Sequence, residues 1–268
     1  MKIALIGTGK MGCALVGGML RSGLAAAEDL VGVDVTEAGR AAFLAVAPES
    51  RWTSAGAEAV RDASVVLLAV KPNQVRLVLQ DLAPSAGTAL WVTVAAGVPL
   101  ARYVEILGSE ARVVRVMPNT PVLVNEGMAA YAATGTVRPD DVAWVERLFN
   151  AVGRVVRVDE SALDAVTAVS GSGPAYFYKM FAALAQAGAE EGLDEATALQ
   201  LAAQTARGAA KMILDGQGTP EELAAQVTSK GGTTEAALIR LETLGLAGVV
   251  AEAVRAAARR SRELAAEA

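Results

Sequence analysis

Two short stretches of the 268-residue chain carry residue types that could do chemistry. The first is Gly7-Thr8-Gly9-Lys10-Met11-Gly12, with the apolar run KIALI before it and CALVGGML after it. Glycine at those three places lets a chain turn out of a strand, brings amides close to a pyrophosphate and seats the next helix on a sheet. Amides at the start of that helix would hold the phosphate charge. Asp34 lies at the end of a second apolar run, LVGVDV (30–35). An acid there would accept hydrogen bonds from the adenosine ribose and repel a 2′-phosphate, which favours NADH. Arg40 stands near enough in sequence to offset that charge, so NADPH stays open as well.

The second stretch is TSKGGTTEAAL (228–238). Gly231 and Gly232 ahead of a helix expose successive amides, and the helix dipole adds partial positive charge, so a small carboxylate would find an anion site there. Thr233 or Thr234 would cap the helix and offer a hydroxyl; a plain helix cap after a glycine turn uses the same spacing. Between these stretches lie three strand-end loops. Ala69-Val70-Lys71-Pro72 lets Lys71 point towards ribose or phosphate. Val94-Ala95-Ala96-Gly97 is small enough for backbone to lie against a cofactor. Met117-Pro118-Asn119-Thr120-Pro121 leaves Asn119 and Thr120 as polar groups near the expected nicotinamide.

Composition narrows the chemistry. The chain has no histidine, so the imidazole base common among alcohol dehydrogenases is missing. Its one cysteine, Cys13, makes neither an internal disulfide nor a zinc site and reads as a small buried helix residue, and no metal is expected. A net charge of -5 without a basic half argues against nucleic acid. No apolar run approaches the roughly 18–20 residues that span a bilayer, and MKIALIG runs straight into the glycine turn where a signal peptide would continue, so a soluble cytoplasmic protein without membrane contact is expected.

Elements must position these residues. KIALI (2–6), LVGVDV (30–35), SVVLLAV (64–70), ALWVTVAA (89–96) and RVVRVM (112–117) are apolar on consecutive positions, as strands covered on both faces are. MAAYAA (128–133) and RVVRV (154–158) bracket a helix over DDVAWVERLFNAV and complete the sheet. Beyond residue 160 the strand signal ends and every segment reads as helix, with Pro174 and Pro220 in first turns and Gly192 and Gly216 at ends. The fold class is therefore an α/β Rossmann domain with a doubly wound, mostly parallel sheet over residues 1–160, followed by an all-α domain over 161–268. PAYFYKMFAALA is apolar around much of its circumference, which suits burial against another subunit.

GTGKMG, AVKP, MPNTP, GSGPAYFY (171–178) and TSKGGTTEAALIRLE (228–242) stand in the order and approximate spacing of the pyrroline-5-carboxylate reductases, and the chain resembles that family over nearly its whole length. The resemblance implies reduction of the cyclic imine 1-pyrroline-5-carboxylate to L-proline with NADPH or NADH, and a Rossmann domain with a helical dimerisation domain, the homodimers often gathered into decamers. It implies that Ile6, Gly7, Thr8, Gly9, Lys10 and Met11 line the cofactor phosphates, that Ala69, Val70, Lys71, Pro72, Ala95 and Ala96 border ribose and nicotinamide, and that Ser229, Gly231, Gly232, Thr233 and Thr234 hold the substrate in a pocket shared by both subunits. Two positions depart from it: Gly56 stands where some members use asparagine on the adenine side, and Lys230 where many have proline.

Hydride transfer to a carbon–nitrogen double bond is easiest when the nitrogen is protonated, so the substrate can arrive as an iminium or take its proton from Thr234 or water. A protein without histidine can run such a reaction. Two competing readings remain at this level. A relative of the 3-hydroxyacid dehydrogenases would need a catalytic lysine on a second-domain helix, for which Lys179 and Lys211 stand without the surrounding Gly/Asn-rich signature. A nucleotide-sensing regulator would leave TSKGGTT unexplained.

Overall fold

The computed structural model describes residues 1–267; Ala268, the end of the expected helical half, lies outside the described residues. The chain runs β1 (Ile3–Ile6), α1 (Lys10–Arg21), β2 (Leu30–Val33), α2 (Glu37–Val46), β3 (Arg51–Thr53), α3 (Gly56–Arg61), β4 (Val65–Leu68), α4 (Val75–Leu82), β5 (Leu90–Thr93), α5 (Leu100–Leu107), β6 (Arg112–Pro118), β7 (Gly127–Ala133), α6 (Pro139–Asn150) and β8 (Gly153–Arg157). Helices follow: α7 (Leu163–Val166), a π-helical turn Thr167–Gly171, α8 (Gly173–Glu190), α9 (Glu195–Leu214), α10 (Pro220–Gln226), α11 (Thr233–Thr243) and α12 (Leu246–Glu267).

One eight-stranded sheet has the order β3-β2-β1-β4-β5-β6-β7-β8, parallel at every pairing except β6 with β7. Both faces are covered, and the pleat divides the side chains between two cores. Ile3 and Leu5 of β1 join Leu15, Val16, Phe43 and Phe149 on one side, whereas Ala4 and Ile6 join Val60, Leu79 and Tyr103 on the other. Consecutive apolar residues in these strands are the sequence trace of that double burial.

The expected strands are present with shorter ends in four cases. LVGVDV stops at Val33, so Asp34 stands just outside β2, and SVVLLAV stops at Leu68, so Ala69 to Lys71 form a loop after β4. The edge strand Arg51–Thr53 leaves no signal in the sequence. Three residues of mixed polarity, one face open at the sheet edge, leave no period to detect.

The chain divides into two compact units, Met1–Ser172 together with the segment from Ala256, and Gly173–Arg255. The change from strands to helices falls near residue 160, ahead of that division. In the second unit α8 and α9 form a hairpin in which Gly188 lies so close to Ala198 that an added Cβ would sit 3.0 Å from the alanine methyl. Gly192, at φ 97°, ends α8 and Asp194 caps α9 by accepting from the Thr197 amide at 2.9 Å. Thr219 and Glu222 cap α10 reciprocally.

Candidate active site

The turn after β1 uses its three glycines for three reasons. Gly7 has φ 92°, and a Cβ there would lie 2.7 Å from the Ala69 carbonyl oxygen. At Gly12 a Cβ would lie 2.5 Å from the Gly7 carbonyl oxygen, which is how α1 sits so near the sheet edge. Gly9 is different: a Cβ would meet nothing within 4 Å. It is the N-cap of α1 in extended conformation, and no side chain caps the helix. The first helical bond runs from Cys13 N to Gly9 O at 2.9 Å, so the amides of Gly9, Lys10, Met11 and Gly12 keep no acceptor among the described residues. These open amides, with clear space above Gly9, fit a dinucleotide pyrophosphate.

The two preceding amides do not share in that cradle. Gly7 N donates to Val33 O at 2.9 Å, and Thr8 N donates to Asp34 Oδ2 at 3.0 Å. Thr8 is wholly buried and does not line the crevice. Its hydroxyl also donates to Asp34 Oδ2, at 3.1 Å, while Asp34 Oδ1 accepts from the amide and hydroxyl of Thr36 at 2.9 and 2.8 Å. Burial pushes the Asp34 carboxyl up, but the bonds from Thr36 and Thr8 outweigh it and hold the group below the usual carboxylate range. The lone pairs expected to receive ribose hydroxyls are already taken by these four bonds.

At the switch point between β1 and β4 a crevice of about 460 Å³ opens beside the turn. Of the expected cofactor residues, Ile6, Gly7, Gly9, Asp34, Ala69, Val70 and Lys71 line it and Lys10, Met11, Gly12, Ala95, Ala96 and Asn119 do not, while Thr36, Ser54, Gln74, Val78, Asp81 and Leu82 complete the wall. Nothing in the types of those on α4 and after β3 marks them in the sequence, apart from Gly56. A Cβ on Gly56 would lie 2.7 Å from Leu82 Cδ2, so Leu82 fills the crevice wall beside that glycine. Pro72 starts a short 3-10 turn outside the crevice lining. Arg40 lies over the Trp52 ring, 5.5 Å from its centroid, and does not line the crevice.

Further along the sheet edge, Ala95 N donates to Thr93 Oγ1 at 3.2 Å, and Thr93 Oγ1 pairs with the Tyr103 hydroxyl at 2.8 Å. Burial pushes the Tyr103 phenol up to about 12, against the Thr93 hydrogen bond and the nearby Arg115 charge. This buried pair fixes the loop carrying Ala95 and Ala96. Asn119 is tied into the frame: its Oδ1 accepts from Met128 N at 2.8 Å and its Nδ2 donates to Ser170 at 3.3 Å. The side chain assigned to the cofactor therefore clasps the end of β6 to β7 and to the π-helical turn.

In the second unit, the turn before α11 has Gly231 at φ 72° and Gly232 as an N-cap without a side-chain cap. A Cβ on Gly232 would lie 2.5 Å from Ser229 Oγ, which explains the second glycine. Gly231 N donates to Glu235 Oε2 at 2.7 Å, and Gly232 N to Ser229 O at 2.9 Å. The amides of Thr233 and Thr234 have no acceptor among the described residues, nor do their hydroxyls a partner. The anion-binding capacity expected of residues 231–234 thus narrows to Thr233 and Thr234, and the turn already holds one carboxylate of its own. Ser229 and Lys230 are exposed.

A parallel sheet in this order, with a glycine turn entering an uncapped helix at its switch point, defines a dinucleotide-binding oxidoreductase domain joined to a helical unit. Residues 2–97 match the family described as NADP oxidoreductase coenzyme F420-dependent, and residues 160–264 the pyrroline-5-carboxylate reductase dimerisation family. The chain is 41% identical to the pyrroline-5-carboxylate reductase of Pseudomonas aeruginosa, over 98% of its own length and 97% of that protein's. Among solved structures, it matches the pyrroline-5-carboxylate reductase of Coxiella burnetii with TM-score 0.92 and 34% identity, covering 98% of each chain. The Plasmodium falciparum pyrroline carboxylate reductase with NADP bound matches at TM-score 0.88 and 30% identity over 99% of this chain and 98% of that one. The chain belongs to the pyrroline-5-carboxylate reductase family.

Proposed function

We propose that this protein reduces 1-pyrroline-5-carboxylate to L-proline with NADPH or NADH, the last step of proline synthesis, as a homodimer in the cytoplasm. The observation that carries this reading is one chain holding both an open amide cradle at the β1–α1 turn and an uncapped Gly-Gly-Thr-Thr turn at α11, within a family of that activity.

When bound, the reduced nicotinamide supplies the hydride that adds to the imine carbon. The amides of Gly9 to Gly12 hold the pyrophosphate charge, and Ala69 to Lys71 border the ribose. The free amides of Thr233 and Thr234, with the α11 dipole behind them, bind the substrate carboxylate. The Thr234 hydroxyl faces the ring nitrogen and keeps its proton in place as the double bond becomes a single one. No strong side-chain base is required, which suits a chain without histidine. Among the lysines a hydroxyacid dehydrogenase would need, Lys211 is paired on the surface with Asp215 at 2.5 Å.

The experiment is a steady-state assay of NADPH and NADH oxidation with 1-pyrroline-5-carboxylate and, separately, with 3-hydroxyacids and the oxidised cofactors. Proline formation stoichiometric with cofactor oxidation is expected; turnover of the hydroxyacid alone overturns the reading. Thr234→Ala should raise KM for the imine and lower kcat moderately, about tenfold together in kcat/KM. An unchanged kcat/KM removes Thr234 from its role. Family resemblance adds a decamer of five dimers, and a light-scattering mass of ten or of two times the 27.4 kDa chain decides that.

A further inference from the structure

We infer that Asp34 is a positioning residue for the phosphate-binding amides, acting through Thr8, and does not read the adenosine ribose. A carboxylate offers about four lone-pair sites. Here Oδ2 takes the Thr8 amide and hydroxyl, and Oδ1 takes the Thr36 amide and hydroxyl, at 2.8 to 3.1 Å. A ribose diol would have to break one of these bonds. The surroundings leave little room for that. Thr8 is wholly buried, and an added Cβ on Gly39 would stand 2.7 Å from both Asp34 Oδ2 and Thr8 Oγ1, so the start of α2 is closed down on the pair.

The same bonds set the direction of the turn. Asp34 draws the Thr8 N–H away from the crevice, and the Cys13 thiol donates to the Thr8 carbonyl at 3.2 Å from the other side. With both ends of Thr8 held inside, Gly9 is the first residue whose amide is left open. The carboxylate therefore decides where the pyrophosphate cradle begins. Choice at the ribose 2′ position passes to the residues that line the crevice beyond Asp34 with their polar groups unspent, the Val35 backbone and Ser54, while Arg40 lies over Trp52 outside that lining.

This inference rests on the proposed function only in requiring a nicotinamide dinucleotide, and direct binding measured without imine separates the two. NADPH and NADH are titrated by their own fluorescence, and ADP and adenosine by competition, against wild type, Asp34→Asn, Thr8→Val, Thr8→Ser and the Asp34→Asn/Thr8→Val double variant. Asp34→Asn and Thr8→Val should each weaken NADPH, NADH and ADP by roughly the same factor, on the order of tenfold. Adenosine binding and the NADPH-to-NADH ratio should stay within about twofold of wild type. The double variant should lose little more than the worse single, as coupled partners do. Thr8→Ser, which keeps the hydroxyl, should recover most of the Thr8→Val loss. The inference is overturned if Asp34→Asn strengthens NADPH while weakening NADH and Thr8→Val binds both normally, or if Thr8→Ser is as damaged as Thr8→Val, which would make the methyl's packing the cause. A total loss of imine turnover with these binding patterns intact counts against the reductase reading and leaves this one standing.

Discussion

The three glycines of the β1–α1 turn predict opposite consequences for one added methyl group. At Gly9 the methyl meets no neighbouring side chain or strand within 4 Å, so the fold accepts it, while the proposed pyrophosphate site would lose that space. At Gly12 it lies 2.5 Å from the Gly7 carbonyl oxygen, a backbone atom that cannot swing aside. Gly9→Ala should therefore keep the wild-type melting temperature and weaken NADPH at least about tenfold. Gly12→Ala should lose roughly 1–3 kcal/mol of stability from overpacking. Paired thermal melts and fluorescence titrations check both; a Gly9→Ala protein that melts early but binds normally reverses the assignment. The glycine spacing was legible in the sequence because each glycine answers a steric demand that no other residue meets. Asp34 was legible only as an acid at the right distance along the chain. Whether its lone pairs are free depends on where two threonine hydroxyls come to rest, and no spacing encodes that.

Among elements, the strands buried on both faces were readable and the one at the edge was not. Val65–Leu68 is apolar throughout because α-helices cover it on both sides, while Arg51–Thr53 has too few residues to show any alternation. The apolar runs overshoot the strand ends wherever apolar loop residues such as Ala69 and Val70 follow, since apolarity continues past the end of the strand. Ties between elements were equally hidden. Asp141, in the first turn of α6, pairs with Arg112 of β6 and accepts from Arg138 N at 3.0 Å, joining strand and helix beneath the sheet's outer part. Burial pushes its carboxyl up, but bonds from Arg112 and Arg138 prevail and hold it below the ordinary value of 3.8. A carboxyl depressed in the folded state stabilises fully above its unfolded value and loses that contribution as pH falls through the lower folded one. Asp141→Asn should accordingly cost on the order of 3 kcal/mol at pH 7, the cost of leaving Arg112 half-buried without its partner. The gap in melting temperature between variant and wild type should narrow as pH drops below 3.8; a gap that stays constant down through that window would show the carboxylate charge to be irrelevant.

At the scale of the whole molecule, stability is unevenly shared. Both clusters of buried apolar side chains lie between Ile3 and Leu163, all in the first compact unit. The second unit presents helices whose large apolar side chains remain exposed in a single chain: Phe177, Tyr178, Met180 and Leu184 on α8, and Leu199, Leu201, Met212 and Ile213 on α9. Only Gly173 and Ala185 of α8, and Ala198 of α9, are buried within the chain. Helices of this composition need another apolar surface to cover them, and the chain belongs to a family with a dimerisation domain at this place. The helices were plain in the sequence, yet their lack of a core of their own was not, because the same apolar stripe serves either an internal partner or a second subunit. If the second subunit supplies the core, charging the stripe should separate the two units in behaviour. Phe177→Glu with Leu184→Glu should give a particle of one 27.4 kDa chain by light scattering, with helical circular dichroism reduced and imine turnover lost. NADPH should still bind within about threefold of wild type, because the β1–α1 turn rests on a core that does not include these side chains. A variant that becomes monomeric yet keeps full helicity would show that the second unit folds alone, and one that loses NADPH binding along with its partner would show that the first does not.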